Sequence, residues 1–195
     1  MDSGVRFPLA FEIVDSVAVH RIVVVGCGGS GKTVLARHVG ESLDIPVVHL
    51  DALFYDENWR PCGRSEFAAR QERAVAARSW VMDGNYASTL PIRLRAADTV
   101  VFLDLPAWRC LVGVVRRRLR YRGGQRRGDG VFDRISWSFI AYIWGYRSDM
   151  APRVRELIEA HVGAEAAVFV LRSRRAARRF CDQVTAAAAG RDGTG

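Results

Sequence analysis

Lysine is almost absent from this chain. Of its 29 basic side chains, 28 are arginine, and Lys32 is the single lysine. Cysteine is also scarce. The four present (Cys27, Cys62, Cys110 and Cys181) show no paired spacing, which argues against a zinc site or a disulfide framework and fits a reducing compartment. No apolar run approaches the roughly 20 residues that a bilayer span needs, so no membrane partner is expected. The opening stretch MDSGVRFPLAFEIVDS has no basic start ahead of a long apolar segment, so no secretory leader is expected and a cytoplasmic location is. No internal repeat is visible.

What is present fits one globular domain, with 49% hydrophobic and 26% charged residues over 195 positions. The domain is expected over 21–185, after an extension at 1–20 to which no role is assigned and before a flexible tail at 186–195. The net charge of +8 is compatible with a nucleic acid, an acidic membrane surface or a phosphorylated small molecule. It is unevenly spread: residues 109–134 hold nine arginines against two aspartates, and 172–179 add five arginines and no acid.

Five short apolar runs read as strands: RIVVVG (21–26), IPVVHLD (45–51), WVMDG (80–84), TVVFLDLP (99–106) and AAVFVL (166–171). Helical patterns follow the first strand, cover 63–79 with Ser65 as the expected cap, and follow Pro106. There Trp108, Leu111, Val112, Val115 and Leu119 form an apolar stripe. Two further helices are expected around Trp137–Trp144 and Val154–Val162, and a last one from about Ser173. Continuous apolar strands alternating with helices imply an α/β fold, a parallel sheet covered on both faces, with ligands beyond the carboxyl ends of the strands.

At the end of the first run stands GCGGSGKT, which fits G-x-x-x-x-G-K-[ST], the P-loop. Glycines let successive N–H groups turn inward as an anion nest, and the following helix adds its positive end. This accounts for the lone lysine. A compact ammonium on a flexible stem reaches between phosphates, where arginine's broad fork does not fit. Gly26, Cys27, Gly28, Gly29, Ser30, Gly31, Lys32 and Thr33 are therefore assigned to ATP, with Thr33 offering its hydroxyl to Mg²⁺.

Other residues must say what happens to the nucleotide. Asp83 ends an apolar strand and is expected to hold Mg²⁺ through water, with Asp104 as the competing candidate. Asp51 is placed to accept a proton from an acceptor or to bind the metal. Arg117 and Arg120 lie in the basic segment, read as a lid over 116–135 that neutralises the moving phosphoryl group. A merely solvated basic helix and a nucleic-acid patch are the other readings of those arginines. Of the aromatics nearby, Trp137 and Trp144 are expected in the core.

Several stretches taken together, GCGGSGKT, HLDALFYDENWRP, WVMDGNYASTLPIRLRAADTVVFLDLP, RRRLRYRG and WGY, resemble the bacterial DNA topology modulation proteins, relatives of adenylate kinase. The resemblance spans roughly residues 21 to 182. It implies a three-layer P-loop NTPase fold of nucleoside monophosphate kinase type: a five-stranded parallel sheet, an acceptor-binding insertion near 52–79 and an arginine-rich lid. It implies that Lys32 and Thr33 serve ATP and Mg²⁺, that Asp83 matches the aspartate ahead of the acceptor turn, and that Asp51, Asn85 and Arg93 face the acceptor. Two departures stand out. The usual Gly-aromatic-Pro-Arg turn is replaced by GNYAS, leaving Arg93 as the substitute, and Gly113 stands where relatives tend to carry a basic residue.

The expected function is transfer of the γ-phosphoryl group of ATP to a small acceptor, such as a nucleoside monophosphate, by a monomer. A nucleotide-binding or DNA-associated protein with weak ATPase activity, and a kinase of a hydroxylated metabolite, are the alternatives.

Overall fold

The computed structural model describes residues 19–120 and 136–192. All five expected strands form: β1 (Arg21–Gly26), β2 (Val47–His49), β3 (Trp80–Asp83), β4 (Thr99–Leu103) and β5 (Ala167–Leu171). They pair in parallel in the order β2-β3-β1-β4-β5. The expected α/β fold, a five-stranded parallel sheet with flanking helices, is thus the observed one. β1 lies at the centre because Ile22 to Val25 are apolar on both faces and fully buried.

The helices are α1 (Lys32–Leu43), α2 (Leu50–Phe54), α3 (Arg64–Val75), α4 (Leu90–Ala96), α5 (Ala107–Arg120), α6 (Trp137–His161) and α7 (Arg174–Asp192). The connection from β1 to β2 crosses the sheet one way, and those from β3 to β4 and β4 to β5 cross it the other way. Right-handed crossovers therefore put α1 on one face and α4 and α6 on the other. In keeping with this, α1 packs with α7, and α4 with α6.

Several boundaries differ from the sequence reading. The segment expected as two helices is one, α6, which runs through Pro152 and is capped by Ser136, whose Oγ accepts from the Phe139 N–H at 3.2 Å. Helix α3 starts at Arg64 with Gly63 as its cap, so Ser65 lies inside the first turn. Helix α7 continues to Asp192, past the boundary expected at 185. Residues 1–18 of the extension expected at 1–20, and most of the lid, 121–135, lie outside the described residues.

The apolar stripe of α5 is not its buried side. Cys110 and Val114 are buried, whereas Trp108, Val112, Val115 and Leu119 are exposed. Trp137 and Trp144, expected in the core, are 86% and 69% exposed.

Candidate functional site

The sheet order changes direction beside β1, and there the carboxyl ends of three strands meet in register: Val24 pairs with Asp83, and Asp83 with His49. The P-loop follows β1. Gly29 has φ +76°, and a Cβ on it would lie 2.2 Å from the Cys110 carbonyl oxygen of α5, so only glycine fits. Helix α1 begins at Lys32 with neither a capping side chain nor an acid in its first turn. Its amino end is thus available to an anion. Ser30 Oγ is buried in the same loop without a hydrogen-bond partner, and Lys32 Nζ donates to the Cys27 carbonyl at 3.0 Å. An open helix terminus, an orphaned hydroxyl and one flexible ammonium suit a polyphosphate. Cys27 itself is buried, and its thiol is pushed up by a hydrogen bond to Cys110 and by burial.

Thr33 and Asp83 stand side by side. Thr33 Oγ1 donates to Asp83 Oδ2 at 2.7 Å, and His49 Nδ1 lies 2.5 Å from Asp83 Oδ1. Burial alone would raise the Asp83 carboxyl. The hydrogen bond and charge of His49, then Thr33 and Lys32, outweigh it and hold the group below its ordinary value. An ionised carboxylate beside a hydroxyl is a hard-oxygen donor set that fits Mg²⁺, which binds few protein ligands and keeps several waters. Asp104 is placed differently. Only 2% exposed, it lies 2.5 Å from Arg155, 3.7 Å from Arg147 and 4.0 Å from Arg172, and so ties β4 to α6 and to the segment after β5.

The short helix α2 puts Asp51 on the β2 side of the same cleft. Its Oδ1 accepts from the Tyr86 hydroxyl at 2.6 Å. Burial is the main cause that pushes the Asp51 carboxyl above its ordinary value; the Tyr86 bond and Lys32 pull the other way. Tyr86 has φ +34°, an uncommon conformation for a residue with a side chain, at the turn after β3. Its ring packs on Phe54 (centroids 5.0 Å apart) and Phe67 (4.7 Å), joining α2, α3 and that turn.

Asn85 and Arg93 make the turn part of the P-loop's support. Asn85 Oδ1 accepts from the Gly26 N–H at 2.9 Å, and its Nδ2 donates to the Tyr142 hydroxyl of α6 at 3.3 Å. Arg93 is fully buried. It donates to Gln71 Oε1 and to the carbonyls of Gly84 (3.3 Å) and Asn85 (2.9 Å). Burial pulls its guanidinium down to about 9, so it still carries its charge near neutrality. In this arrangement Arg93 acts on the backbone of the turn.

The site thus gathers Lys32, Thr33, Asp51, Asp83 and Asn85, with Arg93 behind the turn. Arg117 lies half-buried on the side of α5 that carries Gly113, one turn away. Arg120 ends α5. His49, Tyr86, Gln71 and Gly113 were not read as site residues. His49, two positions before Asp51, and a lone glycine inside a helical pattern were the available signals.

Gly113 has a measurable consequence. A Cβ there would lie 2.1 Å from the Gly29 carbonyl oxygen, so the side chain must push α5 off the P-loop. Gly113→Val is expected to cost about 1–3 kcal/mol by overpacking, and a nucleotide held by the displaced loop should bind more weakly by up to that amount, about 1.4 kcal/mol being ten-fold. Chemical denaturation and a nucleotide titration on folded protein check this. Unchanged values for both would show that α5 and the loop are not in contact.

No family model and no curated protein matches this sequence. Among solved structures, the shikimate kinase from Acinetobacter baumannii, in complex with shikimate, is similar with a TM-score of 0.52 and 17% identity over 89% of this chain and 95% of that one. The shikimate kinase from Bacteroides thetaiotaomicron gives 0.53 and 17% over 87% and 98%. At such identities the likeness shows the fold, a parallel α/β sheet with flanking helices, and nothing narrower.

Proposed function

We propose that the chain is an ATP-dependent phosphotransferase that phosphorylates a hydroxyl of a small acceptor. The observation that carries this reading is Asp51: a carboxylate with a raised pKa, held by Tyr86 and close enough to Lys32 and Asp83 for both to influence its titration. A P-loop that only bound nucleotide would need no such group facing it. Membership of the topology modulation family, suggested by the resemblance, is part of this reading.

In the proposed reaction Lys32 and the amides of the 26–33 loop bind the triphosphate of ATP. Thr33 and Asp83 would hold Mg²⁺, which when bound neutralises phosphate charge. Asp51 takes the proton of the acceptor hydroxyl as its oxygen bonds to the γ-phosphorus and the bond to the β–γ bridging oxygen breaks. Asn85 keeps the acceptor turn in register with the P-loop. Arg117 and Arg120 are assigned to the developing charge as the start of the lid. The Asp51 carboxylate, which can take a proton from a hydroxyl but repels a phosphate, favours a hydroxyl acceptor over a nucleoside monophosphate.

The test is ATP consumption across a panel of hydroxylated metabolites and nucleoside monophosphates. One class of hydroxyl compound should raise turnover well above the acceptor-free rate. Slow hydrolysis that no acceptor stimulates would contradict the proposal and leave nucleotide binding as the function.

A further inference from the structure

Seven of the eight large apolar side chains exposed among the described residues belong to α5 and α6; Val34 is the eighth. On α5 the exposed residues are Trp108 (58%), Val112 (45%), Val115 (53%) and Leu119 (74%). Their spacing is i, i+4, i+7 and i+11, so at about 100° per residue they fall within a narrow arc. The same periodicity puts Arg109 and Arg116 along one flank of that arc and Arg118 along the other. Arg109 lies over the Trp108 ring, 5.0 Å from its centroid. Helix α5, AWRCLVGVVRRRLR, contains no acid. On α6, which packs against α5, Trp137 and Trp144 are seven residues apart and share a face.

We propose that the apolar stripe of α5 docks on the surface of an anionic lipid bilayer, the helix lying in the headgroup plane. An apolar stripe flanked by arginines suits the headgroup boundary. The aliphatic and indole groups enter the acyl region, while guanidiniums stay with the phosphates. Trp108 within the stripe fits the interfacial preference of that side chain. Two other occupants match less. A second copy would bring together two helices that carry arginines and no acids, which repel. A nucleic acid would engage the arginines and stack on the tryptophans but leave Val112, Val115 and Leu119 in water. Docking of this kind needs no span, in keeping with the finding that no described helix is long and apolar enough to cross a membrane. The opposite side of α5, with Cys110 and Gly113, lies on the P-loop, so a docked bilayer would adjoin the site without entering it.

The test is flotation of the full chain with vesicles of phosphatidylcholine alone and with about 30% phosphatidylglycerol, with tryptophan emission recorded. The anionic vesicles should carry the protein and shift its emission to the blue. Neutral vesicles should not, and about 0.5 M salt should release most of it. Val115→Asp and Trp108→Ser, both at exposed positions of the stripe, should each weaken binding by about ten-fold while circular dichroism stays unchanged. Absence of binding to anionic vesicles overturns the proposal. So does binding that both variants retain in full, dimerisation that removes the exposed tryptophans, or a single-stranded oligonucleotide bound equally by wild type and Val115→Asp. Because none of these readouts involves turnover, failure here is distinguishable from failure of the proposed reaction.

Discussion

Lys32→Ala is expected to lower acceptor-stimulated ATP consumption by a factor on the order of 10³, the scale seen when one preorganised cation or donor is removed from a developing charge. Lys32 is the only lysine in the chain, so no neighbour can supply another flexible ammonium. Its position argues for a local effect. Nζ contacts the Cys27 carbonyl within the P-loop, so truncation removes one hydrogen bond and no core packing. Unfolding should move little, by about 0.5–1.5 kcal/mol at most. Lys32→Arg separates charge from shape: it keeps the charge, and most of the loss should persist because the wider guanidinium does not fit between phosphates. If Lys32→Arg worked as well as wild type, the argument from shape would fail.

Asp51→Asn should lower turnover by about 10²–10⁴ as the general base is lost, with a smaller effect on ATP binding. The pH dependence gives an independent reading. A carboxyl whose pKa is raised stays protonated to higher pH, and the proposed base works only when ionised. The acid limb of the pH–rate profile should therefore lie above the roughly 4 of an ordinary aspartate, with the rate falling as pH drops through it. Asp83 is shifted the other way and remains ionised over that limb, so it cannot produce it. In Asp51→Asn the limb should vanish from the residual activity. Turnover that keeps both its magnitude and its acid limb would assign the base elsewhere.

The sheet was legible in the sequence because each strand is a short apolar run, the first four closed by a glycine or an aspartate, and burial on both faces of the central strands leaves little other pattern. The P-loop was legible because its backbone geometry dictates the glycines. Less visible were the short helices α2 and α4, whose five and seven residues are too few to show a period. The stripe of α5 was legible as a stripe, but periodicity identifies an apolar face and not which way it turns. Cys110, Gly113 and Val114 form the side that reaches the P-loop, and two of these three are too small to be conspicuous. The two helical patterns around Trp137–Trp144 and Val154–Val162 belong to one helix, α6, because the chain stays helical through Pro152. In the site, Asp51 and Asp83 could be read as strand-end acids, but their partners could not. Tyr86 is 35 positions from Asp51 and His49 is 34 from Asp83, and only the β2–β3 register brings them together. Arg93 and Asn85 entered through resemblance, and their bonds to the turn and to the Gly26 N–H came from the fold.

The claim on which the rest depends is that the loop from Gly26 to Thr33 binds the phosphates of a nucleoside triphosphate. Isothermal titration of the folded chain with MgATP tests it most directly. Saturable heat at one site, lost with Lys32→Ala, is the expected result. No heat from the wild-type chain at about 1 mM ligand, where even a weak site of about −4 kcal/mol would be half filled, would contradict it.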